Sequence, residues 1–331
     1  MPGPTLSVVM ATHGHGGVLA RSLGAICEQS RPPDEVVIVD DASTDRTREV
    51  LAEFQSRYDF LKITRNQRNL GAIPSLDRAF ALASGDYLYG AASDDRVLPG
   101  TFELALESAR EFPHAGLICG EVVRVDALGR NPIRLGFKAW DTRRFVSPAD
   151  VRRDWLEAET AMHSVSTATI YRRASLEAAG GFPWDLHSWA DTFAARTIAL
   201  RDGLVFLPQP LAEWTYDPQS LSQQTRQDPH KLLDLARRAA RAMESPQHRD
   251  LYPPDFVARW EAEFRQQVIE GYCDDVESAS QALARARSVL KRGGPLAKLG
   301  SVAARLGVGA LNLMLVTSVR SSLARYRGQA T

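Results

Sequence analysis

Two aspartate pairs carry the chemistry legible in this chain, Asp40-Asp41 and Asp94-Asp95. Each follows an apolar run that reads as a buried strand: Val36-Val37-Ile38-Val39 before the first, Tyr87-Leu88-Tyr89 before the second. Where strands alternate with helices, the carboxyl ends of the strands are where open α/β sheets bind ligands. One pair could hold a nucleoside by hydrogen bonds, the other a divalent cation by hard oxygen ligands. Together they point to chemistry on a nucleotide-activated substrate.

The elements that must position these carboxylates follow from periodicity. Leu6 to Met10 reads as a strand, and Val18, Leu19, Leu23, Ile26 and Cys27 recur at helical spacing, predicting a helix from Gly17 to Gln29. Ser43-Thr44-Asp45 offers N-caps for a helix running to about Tyr58. A strand at Leu61–Thr64, a helix from Pro74 through Ala83, a strand at Asp86–Tyr89 and a helix from Pro99 to about Phe112 complete the regular part. Repeated strand–helix units imply parallel strands with right-handed crossovers. From Gly116 the pattern changes: Leu117–Val125 and Ile133 onward resemble a hairpin, and Ser166–Tyr171, Leu204–Leu207 and Glu213–Tyr216 read as strands. Short helices are predicted at Ala174–Ala179 and Asp191–Leu200. The expected class is therefore α/β, with a Rossmann-like first half, a mixed central sheet, and only helices beyond about Asp228.

Composition narrows the setting. The 331 residues are 44% hydrophobic and 24% charged, ordinary for a folded soluble protein. Cys27, Cys119 and Cys273 are too few and too scattered for a disulfide framework or a zinc site, which favours a reducing cytoplasm. The first residues show neither the charged nor the apolar segment of a secretory signal. Net charge is zero, yet no acidic residue follows Glu277, and the segment beyond it carries nine Lys and Arg. A basic tail on an acidic body invites an anionic partner and argues against a nucleic-acid reader, whose basic surface belongs to the main domain.

Five segments, taken in order, resemble family 2 glycosyltransferases, inverting enzymes of the GT-A fold. They are Ser7-Val-Val-Met-Ala-Thr-His-Gly14, Val37-Ile-Val-Asp-Asp-Ala-Ser-Thr-Asp45, Asn69-Leu-Gly71, Ala92-Ser-Asp-Asp95, and Gly180-Gly-Phe182 followed by Asp191. The resemblance covers roughly residues 5 to 222. It implies a catalytic domain over 1–227, with a nucleotide-binding half (1–115) and an acceptor-binding half (116–227), and a helical extension over 228–331. It implies that Asp40 and Asp41, with Thr12 and His13 beside them, hold the base of a UDP- or dTDP-linked donor, and that Asn69, Gly71, Ser93 and Asp94 lie against the nucleotide. Asp94 and Asp95 would bind Mn²⁺ or Mg²⁺, which bridges the donor diphosphate and stabilises its charge as it leaves. Asp191 would be the base that takes the acceptor hydroxyl proton during in-line attack. Each carboxylate has a blander alternative as a helix cap.

Departures from the family pattern matter as much. Ala92 stands where the first carboxylate of the Asp-X-Asp element is usual, and Ala190 stands where a glutamate usually precedes the base. Asp217 occupies the position of a usual histidine and is a candidate third metal ligand, since an oxygen suits Mn²⁺ or Mg²⁺. Gln223-Gln224-Thr225-Arg226 does not match the element of processive polymerising members, so a single sugar addition is expected. Trp184, His187 and Trp189 form an aromatic cluster that could line the acceptor site or simply pack in the core, and His163 is a further candidate. Arg65 and Arg68 could neutralise phosphate. The acceptor implied is a hydroxyl of a glycan or lipid-linked cell-envelope precursor. The alternative is a nucleotide-sugar-binding protein of the same fold that has lost catalysis.

The tail places Lys291, Lys298, Arg305 and Asn312 on one helical stripe. Its longest apolar stretch, Leu306–Val319, is shorter than the ~20 residues that span a bilayer. It is expected to lie on an anionic membrane surface at the inner face of the cell membrane, or to pack on the body or on a second subunit of a homodimer.

Overall fold

The computed structural model describes residues 3–126, 128–135, 140–157, 166–217, 220, 225 and 228–270. The first half follows the alternation anticipated. In order come β1 (Leu6–Thr12), α1 (Leu19–Cys27), β2 (Glu35–Asp40), α2 (Thr47–Arg57), β3 (Leu61–Arg65), α3 (Ala72–Leu82) and β4 (Tyr87–Ala92). A two-residue strand, β5 (Arg96–Val97), precedes α4 (Thr101–Glu111). The second half contains β6 (Leu117–Asp126), β7 (Ile133–Leu135), β8 (Arg144–Val146), α5 (Pro148–Val151), β9 (Thr169–Arg172), α6 (Arg173–Ala178), α7 (Ala190–Asp202), β10 (Leu204–Tyr216) and α8 (Pro229–Glu244). Residues 254–270 are again helical.

All ten strands join one sheet with the path β3-β2-β1-β4-β9-β6-β10-β5, β7 pairing with β6 and β8 with β10. β3, β2, β1 and β4 are mutually parallel. β9 is antiparallel to both β4 and β6, so β6, and β10 parallel to it, run in the same direction as β4. The carboxyl ends of β1, β2, β4 and β10 therefore share one edge of the sheet.

Strand alternation divides the core in two. Leu6, Val8 and Met10 of β1 and Val36 and Ile38 of β2 face one layer, where Leu19, Leu23 and Ile26 of α1 and Phe102 and Leu106 of α4 pack. Val9, Val37 and Val39 face the other, where Ala79 of α3 and Phe193, Ala194 and Ile198 of α7 lie. That second cluster also contains Leu235, Ala239 and Met243 of α8 together with Tyr252, Phe256 and Val257. The described part of the C-terminal extension thus contributes to the main core.

One strand differs from expectation. Two short strands were anticipated at Leu204–Leu207 and Glu213–Tyr216; Pro208 and Pro210 lie between them. β10 instead runs unbroken through both prolines, with register shifts against β6 at Leu207/Pro210 and Pro210/Ala212. A bulge accommodates residues that cannot donate to the ladder, so the prolines bend the strand without ending it.

At the opposite end of the sheet, Glu35 opens β2 as a buried hub. It accepts hydrogen bonds from Ser7 Oγ (2.6 Å), Ser84 N (2.5 Å), Ser84 Oγ (2.8 Å) and Lys62 Nζ (2.5 Å). Burial raises the carboxyl, but the bonds from Lys62, Ser7 and Ser84 outweigh it and bring it down to about 2. The folded value lies below the ordinary 4.5, so the stabilisation is complete above that pH and is lost as pH falls towards 2. Glu35→Gln should therefore cost about 2 kcal/mol at neutral pH and progressively less below pH ~4, read from urea midpoints across that range. A chain ended at Asp228 should lose the cooperative thermal transition, because the partners of Phe193 and Ile198 are removed; an unchanged melting curve would show the extension to be dispensable.

Candidate active site

The shared carboxyl edge collects the residues singled out in the sequence. Thr12 ends β1, Asp40 ends β2 with Asp41 next, Ala92 ends β4 just before Ser93, Asp94 and Asp95, and Asp217 follows β10. α7 leads through Gly203 into the start of β10, which puts its N-terminus, and Asp191, at the same edge.

The first pair is more deeply engaged than its expected role implies. Asp40 and Asp41 are both buried. Asp40 is ion-paired with Arg65 and accepts from Ser43 N at 2.9 Å, so Arg65 is committed to a carboxylate instead of standing free for phosphate. Asp41 Oδ1 accepts from Asn66 Nδ2 and Leu70 N, and Oδ2 from Gly71 N, all at 2.8 Å. Its burial opposes ionisation, but the bonds from Asn66, Leu70, Gly71 and Ser75 prevail and hold the carboxyl below its usual range. Asp41 thereby ties down the loop after β3. Gly71, at φ +94° and ψ 164°, takes a backbone conformation essentially restricted to glycine, and its N–H also reaches Asn69 Oδ1 at 2.9 Å. Asn69 is exposed, as is Arg68.

Two groups beside this pair face the edge. Thr12 is buried, and its hydroxyl has no hydrogen-bond partner. His13 is exposed, with Nδ1 placed 2.7 Å from the Asp41 carbonyl. The loop they open lies close to α2: a Cβ on Gly16 would stand 2.7 Å from Thr47 N, and Gly16 N donates to Asp45 Oδ2 at 2.9 Å.

The second pair divides its labour. Asp95 is buried, and each oxygen has a protein donor, Thr215 N at 2.8 Å and Thr167 Oγ1 at 2.7 Å. Burial first, and then the neighbouring Asp94, push its carboxyl up to about 7. Asp94 is half-buried and its carboxylate has no hydrogen bond or ion pair among the described residues; its carbonyl accepts from Arg21 Nη2 (2.9 Å) and Thr215 Oγ1 (2.8 Å). Both Asp95 oxygens are thus engaged by protein donors, one of them the main chain of β10. Among the described residues, no three His, Cys, Asp or Glu side chains gather into a site that could hold a metal ion alone, so Asp94, Asp95 and Asp217 do not form a closed cage. A single free carboxylate still fits Mg²⁺ or Mn²⁺, which commonly binds one or two carboxylates and completes its shell with phosphate oxygens and water.

His15 Nδ1 is hydrogen-bonded to Ser93 Oγ, bringing the loop after β1 onto the same turn. His15, Arg21, Thr167 and Thr215 escaped the sequence reading. No motif marks them, since each acts through a partner more than 70 positions away.

Asp191 sits in the first turn of α7, where the helix dipole favours a carboxylate, and its Oδ1 accepts from Thr192 N at 2.5 Å. Tyr171 of β9 donates to its carbonyl at 3.4 Å. Ala190 is buried, so the position of the usual glutamate is packed into the core. The aromatic residues before it mostly pack. Trp184 donates Nε1–H to Asp77 Oδ1 at 2.6 Å and lies 5.1 Å from Phe182, while Trp189 rests on Phe264 (4.8 Å) and Trp260 (6.0 Å). Of Trp184, His187 and Trp189, only His187 is exposed, at φ +46°, a strained value for a residue with a side chain. His163 and Gln223, Gln224 and Arg226 lie outside the described residues, as does the basic tail; no described helix is long and apolar enough to cross a membrane.

Known proteins share this architecture. Staphylococcus aureus TarS in complex with UDP-GlcNAc superposes with a TM-score of 0.61 at 22% identity, covering 78% of this chain and 71% of that one. PcManGT, a mannosyltransferase from Pyrobaculum calidifontis in complex with GDP-Man and Mn²⁺, gives 0.56 at 20% identity over 97% and 85%. These likenesses establish the GT-A fold. EpsE of Bacillus subtilis (strain 168) is 28% identical over 134 residues, which is 40% of this chain and 48% of EpsE, so the match spans about half of that relative. The profile described as "Glycosyl transferase family 2" matches residues 7–180, more than half of the sequence and every segment from β1 to Gly180; the chain belongs to that family.

Proposed function

We propose that the protein transfers a single sugar, with inversion, from a nucleoside-diphosphate donor to a hydroxyl of a glycan or lipid-linked precursor. The observation that carries this is the arrival of Thr12, Asp41, Asp94, Asp191 and Asp217 at one sheet edge, with the Asp94 carboxylate unspent. TarS and PcManGT, solved with nucleotide sugars on the same fold, support a donor of that class.

In this scheme Asp41 orders the loop around Gly71 against which the nucleoside lies, while the Thr12 hydroxyl supplies a buried contact to it. A bound Mn²⁺ or Mg²⁺ would neutralise the diphosphate. Asp94 would hold it, assisted by Asp217. Asp191, favoured in its charged form by the helix N-terminus, would accept the proton of the attacking hydroxyl. Trp184 and Trp189 would shape the acceptor side from behind, leaving His187 as the exposed side chain able to touch an acceptor. A role at a membrane surface would rest on the basic tail.

Asp191→Asn should lower kcat by about 10²–10⁴-fold while donor affinity stays within a few-fold, since a base acts only in the transition state. Full activity in that variant would overturn Asp191 as the base, whereas no transfer by the unaltered protein from any nucleotide sugar would leave a binding protein that has lost catalysis. Asp94→Asn should abolish the stabilisation that Mn²⁺ plus UDP confers on thermal unfolding, whereas Asp95→Asn should lower the melting temperature in the absence of any ligand. Equal behaviour of the two variants would overturn the division between them.

A further inference from the structure

The free carboxylate of Asp94 hangs on a main chain that is anchored from two distant elements. Arg21 Nη2, from the first turn of α1, donates to Asp94 O and to Thr215 Oγ1, both at 2.9 Å. Thr215 Oγ1 gives its own proton to the same Asp94 oxygen at 2.8 Å, and Thr215 N donates to Asp95 Oδ1 at 2.8 Å. One hydroxyl thus accepts from a guanidinium and donates its proton to a carbonyl. Arg21 is exposed, yet among the described residues it pairs with no carboxylate, unlike Arg65, Arg96 and Arg134. Its Nη2 donates to a carbonyl and a hydroxyl, which points to geometry as its use.

We propose that Arg21 and Thr215 are positioning residues for the cation, holding the Asp94 main chain so that its carboxylate is already aimed when the metal–diphosphate arrives. This rests on Asp94 binding the metal. The turn from β4 to β5 is only three residues long, and without these bonds its carbonyl would be free to rotate and carry the carboxylate with it. The same bonds fix the end of β10, two residues before Asp217, against that turn. Outer partners of metal ligands typically govern ~10–100-fold of metal affinity by such orientation.

Charge and geometry predict opposite results, which makes the proposal testable. Removing a cationic side chain close to a metal ligand should tighten Mn²⁺ binding by Coulomb attraction alone. Positioning predicts the reverse. Mn²⁺ affinity, measured by electron paramagnetic resonance with UDP present, should fall about tenfold in Arg21→Met and in Thr215→Val, with the double variant little worse than either. Thr215→Ser, which keeps the hydroxyl, should bind Mn²⁺ as the unaltered protein does. Arg21→Met binding Mn²⁺ as tightly as the unaltered protein, or more tightly, while Asp94→Asn does not bind, would overturn the clamp and leave the metal site standing. Absence of Mn²⁺ binding in the unaltered protein would overturn both.

Discussion

A carboxylate buried at the end of a strand must find donors, and in this molecule the donors come from far along the chain. Asp41 draws in Asn66, Leu70 and Gly71; Asp95 draws in Thr167 and Thr215. Leaving such groups unsatisfied would cost several times what a hydrogen bond normally contributes. The loops at the carboxyl edge therefore have little freedom once the sheet has formed, and the arrangement of the edge follows from satisfying two aspartates.

That constraint also separates structural carboxylates from available ones. Within each pair the residues look alike in sequence, yet Asp95 is buried against Thr167 and Thr215 whereas Asp94 keeps its side chain outward. The same holds for arginines: Arg65 is paired to Asp40, and Arg21 braces a carbonyl. Electrostatic partners, more than residue type, decide which charges remain for a ligand. The C-terminal helices obey a parallel rule. α7 buries residues on several sides, Phe193, Ala194, Ile198 and Ala199 among them, so a second layer from α8 and residues 252–257 is required to keep it dry.

The legible part of the fold was the part encoded locally. The apolar runs Val36–Val39, directly before Asp40, and Tyr87–Tyr89 announced β2 and β4, and helical spacing of Leu19, Leu23 and Ile26 announced α1, because both patterns follow from which side chains must face the core. Asp41 and Asp94 were visible because they follow those runs, and Asp191 because the family resemblance sets its base at that interval after Gly180-Gly-Phe182. Arg21 and Thr215 were invisible for the converse reason: nothing within a few residues of either reveals its partner. The continuity of β10 through Pro208 and Pro210 was hidden in the same way, since a bulge is settled by the neighbouring strand.

Alone, the order of residues determined the alternating elements, the polarity of the parallel strands and hence which ends carry acidic side chains. Only the tertiary structure decided that β9 reverses direction and so brings β10 back parallel, that Asp217 shares an edge with Asp94, and that one aspartate of a pair is consumed by the scaffold. Periodicity is a property of neighbours in the chain, whereas hydrogen-bond satisfaction and burial belong to neighbours in space.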